Sequence, residues 1–101
     1  MSLTRLFVYG TLRRGFENHR ELSGATYLGS VLTEARCALV ESEGYPALVR
    51  GDEAIAGELY AVDAALLARL DVFEGAGYVR GPVSLADGSV ADAYWSADGT
   101  E

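Results

Sequence analysis

The sequence predicts an α+β domain in which about six or seven strands form a small mixed β-barrel with one or two short helices. Three observations indicate this class: short runs of β-forming residues between turn residues, one segment with clear helical periodicity, and a length of 101 residues. A chain of this length fits a single domain, residues 1–101, and buries roughly two-thirds of its unfolded surface on folding. We therefore expect a nearly closed sheet with its own core.

The first predicted strand is residues 6–9, a run of β-forming residues that ends at Gly10. Residues 11–15 are a predicted loop, and residues 17–22 are compatible with one or two helical turns. Residues 25–40 favour extended structure with an interruption between positions 29 and 33. This half of the chain is thus predicted to be mostly strand.

Apolar residues occupy both faces of residues 37–40, which predicts a strand buried on both sides. The sequence Gly44-Tyr45-Pro46 is typical of a loop, because proline restricts the residue before it to extended conformations. The other strands predicted before the helix, on either side of a turn at 51–53, are residues 47–50 and 54–62.

The clearest helix begins after Asp63, a favourable N-cap residue, and ends before Gly75, which stands where a C′ glycine is expected. Its apolar residues at helical spacing are Leu66, Leu67, Leu70 and Phe73. Two further strands, residues 78–86 and 89–97, are joined by Asp87-Gly88, a strong hairpin signal.

Charge and composition exclude several functions. The net charge is −7 and all eight basic residues are Arg, which argues against nucleic-acid binding and against an anionic membrane surface. No apolar run approaches the ~18 residues of a spanning helix, and the N-terminus has no signal-like apolar core, so we expect a cytoplasmic protein. The residues make no prediction about oligomeric state.

The chain has one Cys, one His and no Lys, which excludes further kinds of site and reaction. One Cys excludes a disulfide framework and a cysteine-based zinc site, and we expect no bound metal. The absence of Lys excludes Schiff-base chemistry and a phosphate-loop lysine. Gly10 and Gly15 have phosphate-loop spacing, but Phe16 and Glu17 stand where that loop needs Lys and Ser or Thr. His19, the single His, is interpreted as a solvated helix residue, and Cys37 as a small core residue.

The turn at residues 8–12 is more informative. A strand that ends in Tyr9-Gly10-Thr11-Leu12 leaves several backbone N–H groups without an obvious sheet partner, and Gly10 permits the positive φ that turns such groups toward an anion. Arg13 and Arg14 follow and add local positive charge, which we expect to attract an anion. The alternative is an ordinary turn with exposed arginines.

Glu74 lies in the last turn of the predicted helix, where the helix dipole disfavours a negative charge. Phe73 beside it suggests partial burial, and both effects raise a carboxyl pKa, which suits a general base near neutral pH. The alternative is an exposed Glu tolerated at small cost. Asp71, one turn earlier, is assigned a structural role.

Several tyrosines could share a site with these residues. Tyr78 and Arg80 alternate along one strand and share a face, as do Glu58 and Tyr60 on another. We therefore expect one of two arrangements: either Tyr9, Tyr45, Tyr60 and Tyr78 converge on one pocket, or these faces are ordinary solvated surface.

Taken together, these segments resemble the γ-glutamylcyclotransferase-like (AIG2-like) family, in the branch with a Tyr-Gly-Thr-Leu loop. The resemblance extends from residue 6 to about residue 95 in the family's order. The matching blocks are residues 6–15, 18–19, 45–48, 57–60, 62–63, 70–75 and 78–80.

The resemblance implies a small mixed β-barrel with a cavity at one end, no cofactor, and a small γ-glutamyl compound as the substrate. Tyr9, Gly10, Thr11 and Leu12 match the family's substrate-binding loop, and Glu74 matches its catalytic carboxylate. The implied enzyme cyclises a γ-glutamyl amine to 5-oxoproline and releases the amine. Glu74 would move the proton, and the loop amides would hold a carboxylate or the developing oxyanion. We also assign Tyr78 to substrate binding. The alternatives are a domain that binds a small carboxylated metabolite without turnover, and a structural or interaction protein that uses the barrel as a scaffold.

Overall fold

Seven strands form one mixed sheet in the computed structural model of the chain, which describes residues 3–97. The strands are β1 (Thr4–Val8), β2 (Thr26–Leu32), β3 (Cys37–Ser42), β4 (Tyr45–Arg50), β5 (Ala56–Val62), β6 (Tyr78–Ser84) and β7 (Val90–Ser96). The helix α1 (Ala64–Glu74) follows β5, and 3-10 turns occupy His19–Leu22 and Gly75–Gly77. The predicted number of strands and the predicted class are thus confirmed.

The sheet is twisted and barrel-like, but its strand ladder does not close completely. Its order is β2-β5-β1-β7-β4-β3, and β6 pairs with β7 outside this path. Strand β7 runs parallel to β1 and β4, and the other pairs are antiparallel. A bridge between Thr33 and Leu85 ties the end of β2 to the end of β6. The predicted mixed barrel is therefore observed in this open form.

Strand β1 is the centre of the fold and is buried on both faces. Phe7 belongs to a core inside the curved sheet, together with Leu48 and Trp95. Leu6 and Val8 point the opposite way, into a second core that α1 covers with its leucines. Since successive side chains alternate between faces, this one strand joins both cores and ends between them.

The prediction that residues 37–40 are buried on both sides is wrong. Cys37 is 2% exposed, as predicted for a core residue, but Leu39 and Val40 are 41% and 45% exposed. The reason is that β3 is an edge strand that pairs with β4 alone along its length. Apolar composition cannot distinguish such an edge from a central strand.

Two loops lie at other positions in the structure than the sequence predicted. Strand β2 continues through Gly29 as a bulge at positive φ, and the interruption falls after Thr33 instead. The hairpin turn between β3 and β4 is Glu43-Gly44, both at positive φ, so Tyr45 and Pro46 begin β4. Pro46 is the second residue of β4, and proline is tolerated there because β7 pairs with β4 only at Leu48 and Trp95, so no ladder bond on that side needs its N–H.

Helix α1 begins and ends where the sequence predicts. The Asp63 carboxylate accepts a hydrogen bond from the Leu66 N–H at 2.8 Å. Leu66, Leu67 and Leu70 are buried against the sheet, whereas Phe73 is 41% exposed. Gly75 at φ 74° donates its N–H to the Asp71 carbonyl and ends the helix. Glu74 is thereby fixed as the last helical residue. No helix within residues 3–97 is long and apolar enough to span a membrane.

We expect Asp63→Ala to destabilise the protein by about 1 kcal/mol, because the Leu66 N–H loses its side-chain acceptor. Urea denaturation of the two proteins measures the difference. Asp63→Ser, which restores an N-cap oxygen, should recover most of the loss. Equal loss in both variants would contradict the capping role.

Candidate active site

A cavity of about 330 Å³ opens at the carboxyl end of β1, between the end of α1 and the first residues of β4 and β6. It brings together all six residues that the sequence analysis selected: Tyr9, Gly10, Thr11, Leu12, Glu74 and Tyr78. Asn18, Phe73, Tyr45 and Tyr94 also line it. Residues far apart in sequence thus meet because β1, the central strand, ends at this cavity.

The loop after β1 is held by its own hydrogen bonds. The Arg13 N–H donates to the Gly10 carbonyl at 3.1 Å, and the Asn18 N–H donates to the Thr11 carbonyl at 3.0 Å. Asn18 also donates from its side-chain amide to Thr11 Oγ1 at 2.7 Å, and His19 Nδ1–H donates to the Leu12 carbonyl at 2.9 Å. His19 is therefore half-buried and holds the loop through the Leu12 carbonyl, which corrects its interpretation as a solvated residue.

Three backbone N–H groups of this loop have no partner. Within residues 3–97, no protein oxygen accepts a hydrogen bond from the N–H of Gly10, Thr11 or Leu12. All three residues line the cavity, so these donors are available to an anion bound there.

The reason for glycine at position 10 differs from the prediction. Gly10 is not among the residues with positive φ. A Cβ at this position would instead lie 3.1 Å from Pro46 Cγ, a tight contact across the cavity wall. Glycine is favoured here by close approach rather than by a left-handed backbone.

Glu74 has a perturbed carboxyl group. Burial raises its pKa from the ordinary value of 4.5 to about 7. Within the described part of the chain, no donor forms a hydrogen bond with its side chain that would stabilise the charged form. The direction agrees with the sequence-based expectation, and desolvation in the cavity is the cause. Near neutral pH the carboxyl group is therefore populated in both protonation states.

Three tyrosines of the cavity, Tyr9, Tyr78 and Tyr94, donate their hydroxyl protons to protein oxygens. Tyr9 donates to the Tyr94 carbonyl and accepts from the Leu48 N–H, while Tyr78 donates to the Pro46 carbonyl at 3.2 Å. Tyr94 donates to Asp71 Oδ1 at 2.6 Å. Burial, with a contribution from the Glu74 charge, raises the pKa of Tyr9, Tyr78 and Tyr94, so they stay neutral.

Tyr60 does not join the other tyrosines, which corrects the prediction of a four-tyrosine pocket. It donates to Glu58 Oε1 at 3.0 Å and packs against Tyr27 and His19 outside the cavity. Tyr94 is the fourth tyrosine that lines the cavity. No local sequence signal marks Tyr94, because only the pairing of β7 with β1 brings it there.

The predicted attraction of an anion by the two loop arginines is not supported. The Arg13 guanidinium lies 4.3 Å from the centre of the Phe16 ring, and that of Arg14 lies 4.4 Å from the centre of the Tyr27 ring. Neither lines the cavity. Each guanidinium stacks on an aromatic ring, and that of Arg13 also donates through Nε to the Gly10 carbonyl at 3.1 Å.

Arg80 shares a face with Tyr78 but is also outside the cavity. It binds Asp71 through Nε at 2.9 Å and Asp92 through Nη1 at 2.8 Å. The structural role predicted for Asp71 is confirmed, since it accepts from both Arg80 and Tyr94. No group of three or more His, Cys, Asp or Glu in the described ranges is arranged to hold a metal ion.

Comparison with known proteins gives a consistent result. A family model described as gamma-glutamyl cyclotransferase, AIG2-like, matches residues 6–100. A Vibrio cholerae protein, provisionally named a gamma-glutamylcyclotransferase, is 45% identical over 69 residues, which cover 68% of this chain and 60% of the relative. Human gamma-glutamylaminecyclotransferase is 39% identical over 82 residues, covering 68% of this chain and 52% of the human protein. The aligned region is thus about half to three-fifths of these relatives' length.

The fold comparison agrees. The crystal structure of an AIG2-like protein from Mus musculus matches with a TM-score of 0.79 at 27% identity, covering 96% of this chain and 79% of the mouse chain. Because the family model matches nearly the whole sequence and a solved AIG2-like protein shares the fold, the chain belongs to the AIG2-like gamma-glutamyl cyclotransferase family.

Proposed function

We propose that this protein is an enzyme that cyclises a γ-glutamyl amine to 5-oxoproline and releases the amine. The observation that carries the proposal is the meeting of two features in one cavity. One is a carboxyl group, that of Glu74, whose pKa is raised to about 7. The other is a loop, residues 10–12, with unpaired N–H groups.

The loop amides are the strongest candidates for binding the negative charge of the substrate. No Arg, Lys or His is among the described residues that line the cavity. The hydroxyl protons of Tyr9, Tyr78 and Tyr94 are already donated to protein oxygens. The free amides, with the hydroxyls of Thr11 and Tyr45, therefore remain to hold the substrate carboxylate or the oxyanion that develops on the γ-carbonyl oxygen.

The chemistry requires one proton carrier. Glu74 takes a proton from the substrate α-ammonium group, and the freed amine attacks the γ-carbonyl carbon to form the ring C–N bond. Glu74 then passes this proton to the leaving nitrogen as the original amide C–N bond breaks. The ring nitrogen gives up its second proton, through the regenerated carboxylate, to the released amine. A carboxyl pKa near 7 serves both steps at neutral pH. Because the attack is intramolecular, positioning of the chain supplies much of the rate acceleration.

The leaving group is proposed to be an amine without its own carboxylate. The human relative is named a gamma-glutamylaminecyclotransferase. The cavity entrance presents the rings of Tyr45 and Phe73, which are 45% and 41% exposed. Such rings suit an apolar or cationic chain, and no cationic residue of the described lining would receive a second carboxylate.

The experiment is turnover of a γ-glutamyl panel with 5-oxoproline as the measured product. We expect γ-glutamyl-alkylamines to be cyclised faster than γ-glutamyl-amino acids. The rate constant kcat/KM should fall about tenfold per pH unit below pH 7, because the base must be ionised to take the proton.

Absence of 5-oxoproline with every member of the panel would overturn the enzyme proposal. In that case, a rise in melting temperature with a small carboxylate would support the binding domain considered in the sequence analysis. If kcat/KM began to fall only near the ordinary carboxyl pKa of 4.5, this would contradict the conclusion that burial raises the pKa of Glu74.

A further inference from the structure

The last turn of α1 is held differently from the rest of the helix. The residues that anchor the helix to the core, Leu66, Leu67 and Leu70, lie before this turn. After Leu70, Val72 and Phe73 are 81% and 41% exposed. Apolar packing therefore does not fix the turn that carries Glu74.

Polar contacts fix this turn instead. Asp71 accepts a hydrogen bond from the Tyr94 hydroxyl at 2.6 Å and is paired with Arg80 through Nε and Nη2, at 2.9 and 3.2 Å. Arg80 is held on its other side by Asp92. Charge-assisted bonds of this forked kind are directional, so they set the angle of the helix end as well as its distance from the sheet.

Tyr94 also reaches the other half of the cavity. Its backbone carbonyl accepts the hydroxyl proton of Tyr9, the residue directly before the Gly10 loop. The ring of Tyr94 lies in the cavity wall and is 4% exposed. One residue therefore connects the end of α1, through its hydroxyl, with the start of the binding loop, through its backbone.

We propose that Tyr94 is a positioning residue, which holds the last turn of α1, and with it Glu74, at a fixed distance from the Tyr9–Leu12 loop. This inference rests on the proposed function, since it concerns the geometry of the same cyclisation. The base and the anion site come from segments that are far apart in the sequence, and a shift of about 1 Å between such groups can cost on the order of a hundredfold in rate.

A displacement of Glu74 would change the pKa of its carboxyl group, because that pKa depends on the groups around it. Among the described residues, the titratable and charged groups around the cavity and the helix end are Tyr9, Glu43, Tyr45, Asp71, Tyr78, Arg80, Asp92 and Tyr94. Glu74 has no hydrogen bond to any of them, and burial alone raises its pKa. A looser helix end admits water to this carboxyl group and returns its pKa toward 4.5.

The test compares Tyr94→Phe with Tyr60→Phe. Each change removes one buried tyrosine hydroxyl that donates to a carboxylate, but Tyr60 bonds Glu58 outside the cavity. In Tyr94→Phe we expect kcat to fall about tenfold to a hundredfold with KM nearly constant, whereas Tyr60→Phe keeps both values.

The second measurement does not depend on activity. Carbon-13 NMR of protein labelled at the glutamate carboxyl carbons gives the pKa of Glu74, whose signal is assigned by its loss in Glu74→Gln. We expect this pKa to fall by roughly one unit or more in Tyr94→Phe and to stay unchanged in Tyr60→Phe. Loss of stability in Tyr94→Phe without a change in this pKa would overturn the inference, as would equal changes in the two variants.

The two proposals fail in distinguishable ways. If the wild-type protein cyclises nothing, the proposed function fails, and the NMR titration still decides whether Tyr94 places Glu74. Should Tyr94→Phe not fold, Asp71→Ala breaks the same contact from the other side. It removes the carboxylate that accepts from the Tyr94 hydroxyl and leaves the tyrosine in place, so a fall in the Glu74 pKa is again expected.

Discussion

Glu74→Gln is expected to lower kcat for 5-oxoproline formation by at least about a hundredfold, because general acid–base catalysis contributes on that scale and an amide cannot accept the α-ammonium proton. Glutamine has nearly the same shape, so substrate binding by the loop should persist. The measurement is steady-state kinetics at pH 8, together with binding of a non-cyclising substrate analogue by calorimetry.

The same substitution should stabilise the fold at alkaline pH. The folded-state pKa of Glu74, about 7, lies above the ordinary value of 4.5 expected in the unfolded chain. Between these values the folded state binds a proton that the unfolded chain lacks, so stability falls as pH rises through this window. The full shift corresponds to about 3 kcal/mol, and solvent screening of a partly exposed carboxyl group reduces this to on the order of 1–2 kcal/mol.

Urea denaturation at pH 8 and at pH 4 measures this effect. We expect Glu74→Gln to be more stable than the wild type at pH 8 and equal to it near pH 4, where both side chains are neutral. Glu53→Gln, the same change at an exposed position, should show neither the kinetic loss nor the pH-dependent gain. Undiminished cyclisation by Glu74→Gln would exclude the proposed proton transfer.

Gly57→Ala is expected to destabilise the protein by on the order of 3 kcal/mol, at the upper end of the range for overpacked cores. A Cβ at this position would lie 2.3 Å from the Val8 carbonyl oxygen and 2.7 Å from two carbons of the Phe7 ring. The first contact is with backbone, which cannot rotate away. Strands β1 and β5 would therefore have to separate at the centre of the sheet.

Chemical denaturation of Gly57→Ala tests this expectation, with Gly81→Ala as the control. Gly81 is also in a strand, but an added Cβ would meet only the Trp95 ring at 3.6 Å, an ordinary contact. We expect the control to change stability by less than about 1 kcal/mol. Cyclisation should fall in Gly57→Ala as well, because Val8 leads directly into the binding loop. Similar stability of the two variants would contradict the close approach of β5 to β1.

The candidate site could be predicted to the extent that local sequence expresses local chemistry. Tyr9-Gly10-Thr11 marks a strand that ends in a turn, and Glu74 stands before a helix-ending glycine, where a carboxylate is unusual. Each of these two signals is contained within a few consecutive residues. The resemblance to the family then linked them into one site, and both segments do line one cavity.

Predictions that required knowledge of distant neighbours were less successful. Leu39 and Val40 were predicted to be buried, but their strand lies at the sheet edge. Arg13 and Arg14 were predicted to attract an anion, but each stacks on an aromatic ring outside the cavity. Tyr94 gave no local signal, although it connects both halves of the site.

The class of fold, the ends of α1 and the residue types of the candidate base and the candidate binding loop are predictable from the sequence alone. They follow from short-range patterns: caps, turn residues and side-chain periodicity. The tertiary structure was needed to establish which strands are central, that Tyr94 rather than Tyr60 lines the cavity, and how strongly Glu74 is desolvated. Burial and electrostatic environment depend on groups brought together across the sheet, and no local pattern encodes those contacts.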